Sequence, residues 1–224
     1  MLDQLLPADI VAVEANNDSL AEPLLPEEAA LMYRASPARL REFTIARGCA
    51  RRALGKLGFP SIPILRGSSR QPLWPDGIVG SITHSRAYYA AAVARRTRLI
   101  AIGIDAEVNE PLPPGVLAII ARDEEVAWLN RRLPLSICWD RALFSAKESV
   151  FKAWFPITGR WLAFEDVSVD FEFRSNRFRA RFLAEKPIVD GREITSFDGK
   201  VLVQAGQIVT AVSVERRPSS SCIG

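Results

Sequence analysis

Gly103-Ile104-Asp105-Ala106-Glu107 carries two carboxylates one residue apart, and further along Phe144-Ser145-Ala146-Lys147-Glu148-Ser149-Val150-Phe151-Lys152 carries a third between two lysines. In an extended segment alternate side chains share a face, so Asp105 and Glu107 point one way and Ala106 the other. Adjacent carboxylates repel unless a cation lies between them. Three acidic oxygen donors flanked by ammonium groups suit a hard divalent cation that holds a phosphate, and Mg²⁺ is the usual such ion. Plainer readings exist for each part alone: a solvated strand end for Asp105 and Glu107, and an ordinary i,i+4 ion pair for Glu148 with Lys152.

The helix expected over 136–155 bears on that choice. At about 100° per residue, Trp139, Ala142, Leu143, Ala146, Val150 and Ala153 form one apolar stripe, a core face. Arg141, Phe144, Glu148 and Lys152 lie opposite, with Phe151 at the flank. A solvated face rarely interleaves phenylalanine with charge, so this one is expected to line a cleft or a domain interface.

His84 is the only histidine and follows Gly80-Ser81-Ile82-Thr83 at a strand end. There the Thr83 hydroxyl and the imidazole can both bind a phosphate; a structural histidine is the alternative. A single histidine excludes a histidine metal cluster, and no GxSxG, P-loop or GxGxxG pattern is present. Upstream, Arg34, Arg39, Arg41, Arg47, Arg51, Arg52 and Lys56 crowd together. They read either as a solvated helix face or as a local anion site, in which Arg47 and Arg51, four apart, grip one anion.

These residues need positioning. Ser36-Pro37 is a good helix start, and a helical pattern runs over 37–57 to Gly58-Phe59-Pro60. A proline-, glycine- and serine-rich loop covers 61–77, and strands are expected at 78–83, 88–94 and 99–107. After the break at Pro111-Leu112-Pro113-Pro114-Gly115, helices are expected at 116–120, 123–130 and 136–155, then strands at 167–173, 177–183, 200–204 and 208–214. The tail from Pro218 is expected to fray. Helices followed by strands occur twice, which suggests two similar α+β halves, with a site drawing on the strand ending at Glu107 and the helix through Glu148.

A chain of 224 residues supports one large domain or two small ones. The 48% hydrophobic and 25% charged fractions are those of a soluble globular protein. No apolar run approaches the roughly 18 residues that cross a bilayer, and the amino terminus lacks a signal-peptide pattern. Cys49, Cys138 and Cys222 are scattered and odd in number, so the expectation is a reduced cytoplasm. A net charge of +3 is too small to imply nucleic-acid binding.

Taken in order, Val79-Gly80-Ser81-Ile82-Thr83-His84-Ser85, Gly103-Ile104-Asp105-Ala106-Glu107 and Phe144-Ser145-Ala146-Lys147-Glu148-Ser149-Val150-Phe151-Lys152-Ala153-Trp154 resemble the motif series of the 4′-phosphopantetheinyl transferases. The resemblance is to the monomeric two-lobed group that serves siderophore, polyketide and lipid synthases. Pro72-Leu73-Trp74-Pro75-Asp76-Gly77 and Lys152-Ala153-Trp154-Phe155-Pro156 make it most like the actinobacterial branch. It covers 43–166 well and both ends weakly.

The resemblance implies an α+β fold of two similar α/β lobes in pseudo-twofold arrangement, each a helix on a mostly antiparallel sheet, with the active site at their interface. The first lobe would span 1–108 and the second 109–224. The implied reaction moves phosphopantetheine from coenzyme A to a serine of an apo acyl or peptidyl carrier protein and releases adenosine 3′,5′-bisphosphate. Asp105, Glu107 and Glu148 would bind Mg²⁺. Glu148 would deprotonate the serine, directly or through a metal-bound water, and Lys152 would neutralise or protonate the leaving phosphate; with Asp105 these are the implied catalytic residues. Arg47, Arg51, Thr83 and His84 would hold the nucleotide, with Lys147, Lys152 and Asp105 completing the coenzyme A contacts. Many relatives carry Gly-Lys-Pro before the histidine block, where this chain reads Arg70-Gln71-Pro72, so Arg70 or Arg66 would replace that lysine's charge. Such an enzyme is expected to be a cytoplasmic monomer with no nucleic-acid or membrane partner. The alternatives are a metal-dependent phosphodiesterase or nuclease, and a binding module for coenzyme A or carrier protein that has lost catalysis.

Overall fold

In the computed structural model, which describes residues 1–16, 20–131, 136–172 and 175–216, the elements follow the chain as α1 (Leu2–Leu5), β1 (Val11–Ala15), α2 (Pro26–Ala30), α3 (Pro37–Lys56), β2 (Ile78–Ser85), β3 (Tyr88–Arg95) and β4 (Leu99–Val108). Then come α4 (Val116–Ile120), α5 (Asp123–Leu129), α6 (Trp139–Thr158), β5 (Val167–Glu172), β6 (Arg177–Phe182), β7 (Ile188–Val189), β8 (Arg192–Glu193), β9 (Ser196–Gln204) and β10 (Gln207–Glu215). Phe173, which ended an expected strand, Cys222 and the tail expected to fray lie outside the described residues.

The first lobe sets α3 on an antiparallel sheet of order β1-β3-β2. Ser36 caps α3, its Oγ accepting from the Arg39 amide at 3.3 Å, and Pro37 fills the first turn. Strand β3 is buried on both faces and sorts its side chains by alternation. Tyr89, Ala91 and Val93 pack with Ile45, Cys49 and Ala53 of α3. Tyr88, Ala90 and Ala92 turn the other way and meet Ile102, Ile104 and Val209.

The second lobe repeats the plan. Helix α6 lies on a five-stranded antiparallel sheet of order β4-β10-β9-β6-β5. All six residues of its expected apolar stripe are buried, joined by Trp154, against Phe178, Phe182, Phe197 and Val212. The fold is thus α+β, two helix-on-sheet lobes.

Three differences from the sequence expectation have physical causes. Ending the first half at 108 assigns β4 to the first sheet, yet its backbone pairs with β10, from Val108 opposite Gln207 back to Leu99 opposite Glu215. Helix α6 passes through Pro156 to Thr158, because a proline in the last turn forfeits only one bond and Gly159, at φ 66°, supplies the left-handed stop. Strand β1 has no turn signal of its own and is fixed by pairing with β3.

The two sheets meet edge to edge. Strands β2 and β4 share no backbone ladder. Instead the amides of Ile104 and Ala106 donate to the hydroxyls of Ser81 (3.1 Å) and Thr83 (3.0 Å). The odd-numbered face of β4 turns to α6, where Gly103 has no room for a side chain: a Cβ there would lie 1.9 Å from the Ser149 carbonyl oxygen. That contact brings α6 close enough for its charged face to reach β4.

Candidate active site at the seam between the lobes

Lys152 Nζ donates to Asp105 Oδ1 at 2.7 Å and to the Ile104 carbonyl at 3.1 Å. Arg141 Nη1 donates to Glu107 Oε2 at 3.1 Å. Asp105 is buried, and its Oδ2 has no hydrogen-bond partner. The Glu148 carboxyl is pushed above the usual carboxylate range by burial and then by the Asp105 charge, against the pull of Lys152. Glu107 is raised likewise, by burial first and Asp105 second. Three carboxylates therefore share one field at the point where α6 crosses β4.

Among the described residues no three His, Cys, Asp or Glu side chains converge as a metal centre. Asp105 Oδ1 and Glu107 Oε2 face cations of α6 instead. The donor chemistry nevertheless fits a hard divalent cation. An orphaned buried carboxylate oxygen lies beside two carboxyls whose ionisation is opposed by burial and then by the Asp105 charge.

Two clefts adjoin this point. One, of about 440 Å³, is walled by Arg34, Arg39, Arg47, Arg66, Arg70 and His84. Arg47 is buried, donates Nε to the Ile64 carbonyl at 2.9 Å, and stands 4.3 Å over the Phe43 ring, which Arg66 also approaches at 4.6 Å. Burial, and then the neighbouring arginines against the opposing pull of Glu28, push the Arg47 guanidinium down to about 10. His84 Nε2 lies 2.6 Å from Arg39 Nη1. A guanidinium only donates, so Nε2 accepts and the ring is neutral, in keeping with a pKa lowered by burial and then by Arg39. So many cations around one hollow call for a polyanion.

The second cleft, of about 520 Å³, has Glu148 and Lys152 on one wall, with Trp74, Val79, Phe151 and Phe155 supplying apolar surface. Arg70, Pro72 and Ile82 line both clefts, so the two lie side by side. A ligand with a polyanionic head and a long, less polar arm matches that shape and charge.

Comparison with known proteins agrees. The family model for the 4′-phosphopantetheinyl transferase N-terminal domain matches residues 27–94, and that for the 4′-phosphopantetheinyl transferase superfamily matches residues 101–199. The 4′-phosphopantetheinyl transferase Svp of Streptomyces mobaraensis is 46% identical over 96% of this chain and 89% of its own length. PptT of Mycobacterium tuberculosis is 42% identical over 95% and 97%. Npt of Nocardia iowensis is 38% identical over 95% and 99%. The chain belongs to the 4′-phosphopantetheinyl transferase family. Its likeness is to actinobacterial transferases, and the phosphodiesterase and inactive-module readings are not favoured. As a phosphopantetheinyl transferase it is an enzyme that uses coenzyme A and acts on carrier proteins.

In this transferase the structure brings Asp105, Glu107, Glu148 and Lys152 together and puts Arg47, Arg66, Arg70 and His84 around the cationic cleft. Three other expected contacts lie elsewhere. Lys147 is buried, and Nζ spends its three protons on the Ile120 carbonyl, Glu125 Oε2 and the Phe164 carbonyl, at 2.7 to 2.9 Å. One residue back from Glu148 is a rotation of about 100°, which points Lys147 into the second lobe. Arg51 is buried against Glu28 Oε2 at 2.5 Å and the Pro23 carbonyl at 3.2 Å, where it braces α2. The Thr83 hydroxyl is committed to the seam, accepting from Ala106 and donating to Asp105 Oδ1 at 3.4 Å. In this arrangement it orients a carboxylate and lines neither cleft. Arg34 and Arg39 also wall the cationic cleft. Their only signal was the basic run, which suits a solvated face equally well.

Proposed function

We propose that this transferase moves 4′-phosphopantetheine from coenzyme A to a serine of apo acyl and peptidyl carrier proteins and releases adenosine 3′,5′-bisphosphate. Asp105, Glu107 and Glu148 would hold Mg²⁺, which would supply charge neutralisation at the pyrophosphate. The observation that carries this reading is that the cationic cleft and the cleft that bears Glu148 and Lys152 are neighbours with Arg70, Pro72 and Ile82 in common. The nucleotide phosphates lie among Arg39, Arg47, Arg66 and His84, and the pantetheine arm runs along Trp74, Phe151 and Phe155.

Phosphoryl-type transfer asks for in-line placement and charge neutralisation more than covalent catalysis. Glu148 takes the proton of the carrier serine; its raised pKa suits a base that works near neutral pH. The serine oxygen forms a bond to the phosphorus that carries the pantetheine arm as the bond to the bridging oxygen breaks. Lys152 offers charge or a proton to the leaving phosphate, and Asp105 holds that ammonium in place. All the groups named come from one chain, so this reading requires no second subunit. Cys49 and Cys138 are free thiols, which supports a reduced cytoplasm.

Incubation with coenzyme A, Mg²⁺ and a panel of apo-carriers is expected to add about 340 Da to the carrier by mass spectrometry, the weight of one such covalent modification. Glu148→Gln should abolish the gain and leave the circular dichroism spectrum unchanged. No mass gain on any carrier would remove the proposal.

A further inference from the structure

Arg141 lies on the same face of α6 as Glu148 and Lys152, since steps of seven and eleven residues at about 100° return to within about 20° of it. Along that face the charges alternate, and Glu107 and Asp105 of β4 stand opposite the two cations. Arg141 is the more fully engaged of these cations. Nη1 reaches Glu107 Oε2 at 3.1 Å, Nε the Glu110 carbonyl at 3.0 Å and Nη2 the Pro111 carbonyl at 2.8 Å. All three nitrogens donate, and only 17% of the side chain is exposed. A planar fork can tie a carboxylate to two successive carbonyls in this way, and a lysine cannot.

The carboxylates are thus unequal as donors to a cation. Asp105 Oδ2 is buried and has no partner, whereas Glu107 Oε2 is already engaged. A divalent cation that reaches that oxygen sets its charge against the guanidinium on the same carboxylate, and Arg141 also helps to fasten the strap of Glu110 and Pro111 that follows β4. We propose that Arg141 is a positioning residue that competes with the divalent cation for Glu107, so that metal binding draws Glu107 off the guanidinium and loosens that strap. This rests on the divalent-cation reading given above.

A double-mutant cycle tests it. Mn²⁺ is titrated into the purified transferase, Arg141→Gln, Glu107→Gln and the double variant, and free Mn²⁺ is read by electron paramagnetic resonance without substrate. Arg141→Gln should tighten binding about fivefold or more, the lower range of coupling between linked sites. In the Glu107→Gln background the same change should have a much smaller effect, because only the through-space charge of Arg141 remains to be removed. An equal gain in both backgrounds would mean that Arg141 acts only as a positive charge and would overturn the proposal, as would unchanged or weaker binding in Arg141→Gln. Should Arg141→Gln not fold, Arg141→Lys keeps the charge without the fork and should tighten binding in the same Glu107-dependent way; no tightening overturns the proposal. Absence of Mn²⁺ binding by the unaltered protein would bring down the cation reading itself. Binding without an Arg141 effect would leave that reading standing and remove only this one.

Discussion

Glu148 and Glu107 are held in their protonated forms above the usual range because burial and the Asp105 charge penalise a second and third negative charge at one point. For catalysis the sign is clear: Glu148 works as a base only when deprotonated. The acid limb of kcat/KM should therefore sit above the ordinary glutamate value of about 4.3 and move to lower pH as Mg²⁺ is raised. For stability, a raised carboxyl favours the folded state below the unfolded pKa, and that contribution is lost as pH rises through the folded pKa. A cation that neutralises the cluster offsets the loss. The gain in Tm on adding Mg²⁺ should therefore be larger at pH 8 than at pH 5. An equal gain at both would show that these carboxyls do not sense the ion.

At the next scale, the crossing of α6 and β4 depends on Gly103. Gly103→Ala drives a Cβ into the Ser149 carbonyl and the Ala153 amide, both backbone atoms that cannot swing aside. A loss of about 1–3 kcal/mol is expected from such overpacking, read from the urea midpoint, together with a fall in kcat as Lys152 moves from Asp105. Gly55→Ala in α3 meets nothing within 4 Å and should instead gain roughly 0.5–1 kcal/mol. Elements with local signals were legible in the sequence: the capped α3, the apolar stripe of α6, and β2, β3 and β4 to within two residues. What depends on a distant partner was not. The alternation of β4 placed Asp105 and Glu107 on one face but carried no information that its neighbour would be β10. Likewise the motif around Lys147 held no sign that Glu125 of α5 would claim its ammonium. The carboxylates and Lys152 were legible as a site because alternation and helical periodicity are local, whereas Arg39 at His84 is a contact between lobe elements far apart in sequence.

Across the whole molecule, the lobes join through an apolar core from Tyr88 to Val209 and through two hydroxyls that stand in for a sheet ladder. Ser81→Ala with Thr83→Val leaves two buried amides without acceptors, at about 1–3 kcal/mol each. The cationic cleft belongs to the first lobe and Asp105 to the second sheet. Loosening the seam should therefore lower kcat more than it raises the KM for coenzyme A, and restoring threonine at position 83 should recover most of the rate. A dominant rise in KM would return Thr83 to the nucleotide.

The pairing of β4 with β10 also sets a timetable. On the ribosome, residues 99–108 emerge long before 207–215, so β4 waits with one edge unpaired while nearly all of the second half is synthesised. No nascent fragment that stops short of β10 can hold Asp105 and Glu107 in register. Competence for the reaction therefore waits on closure of the β9–β10 hairpin onto β4.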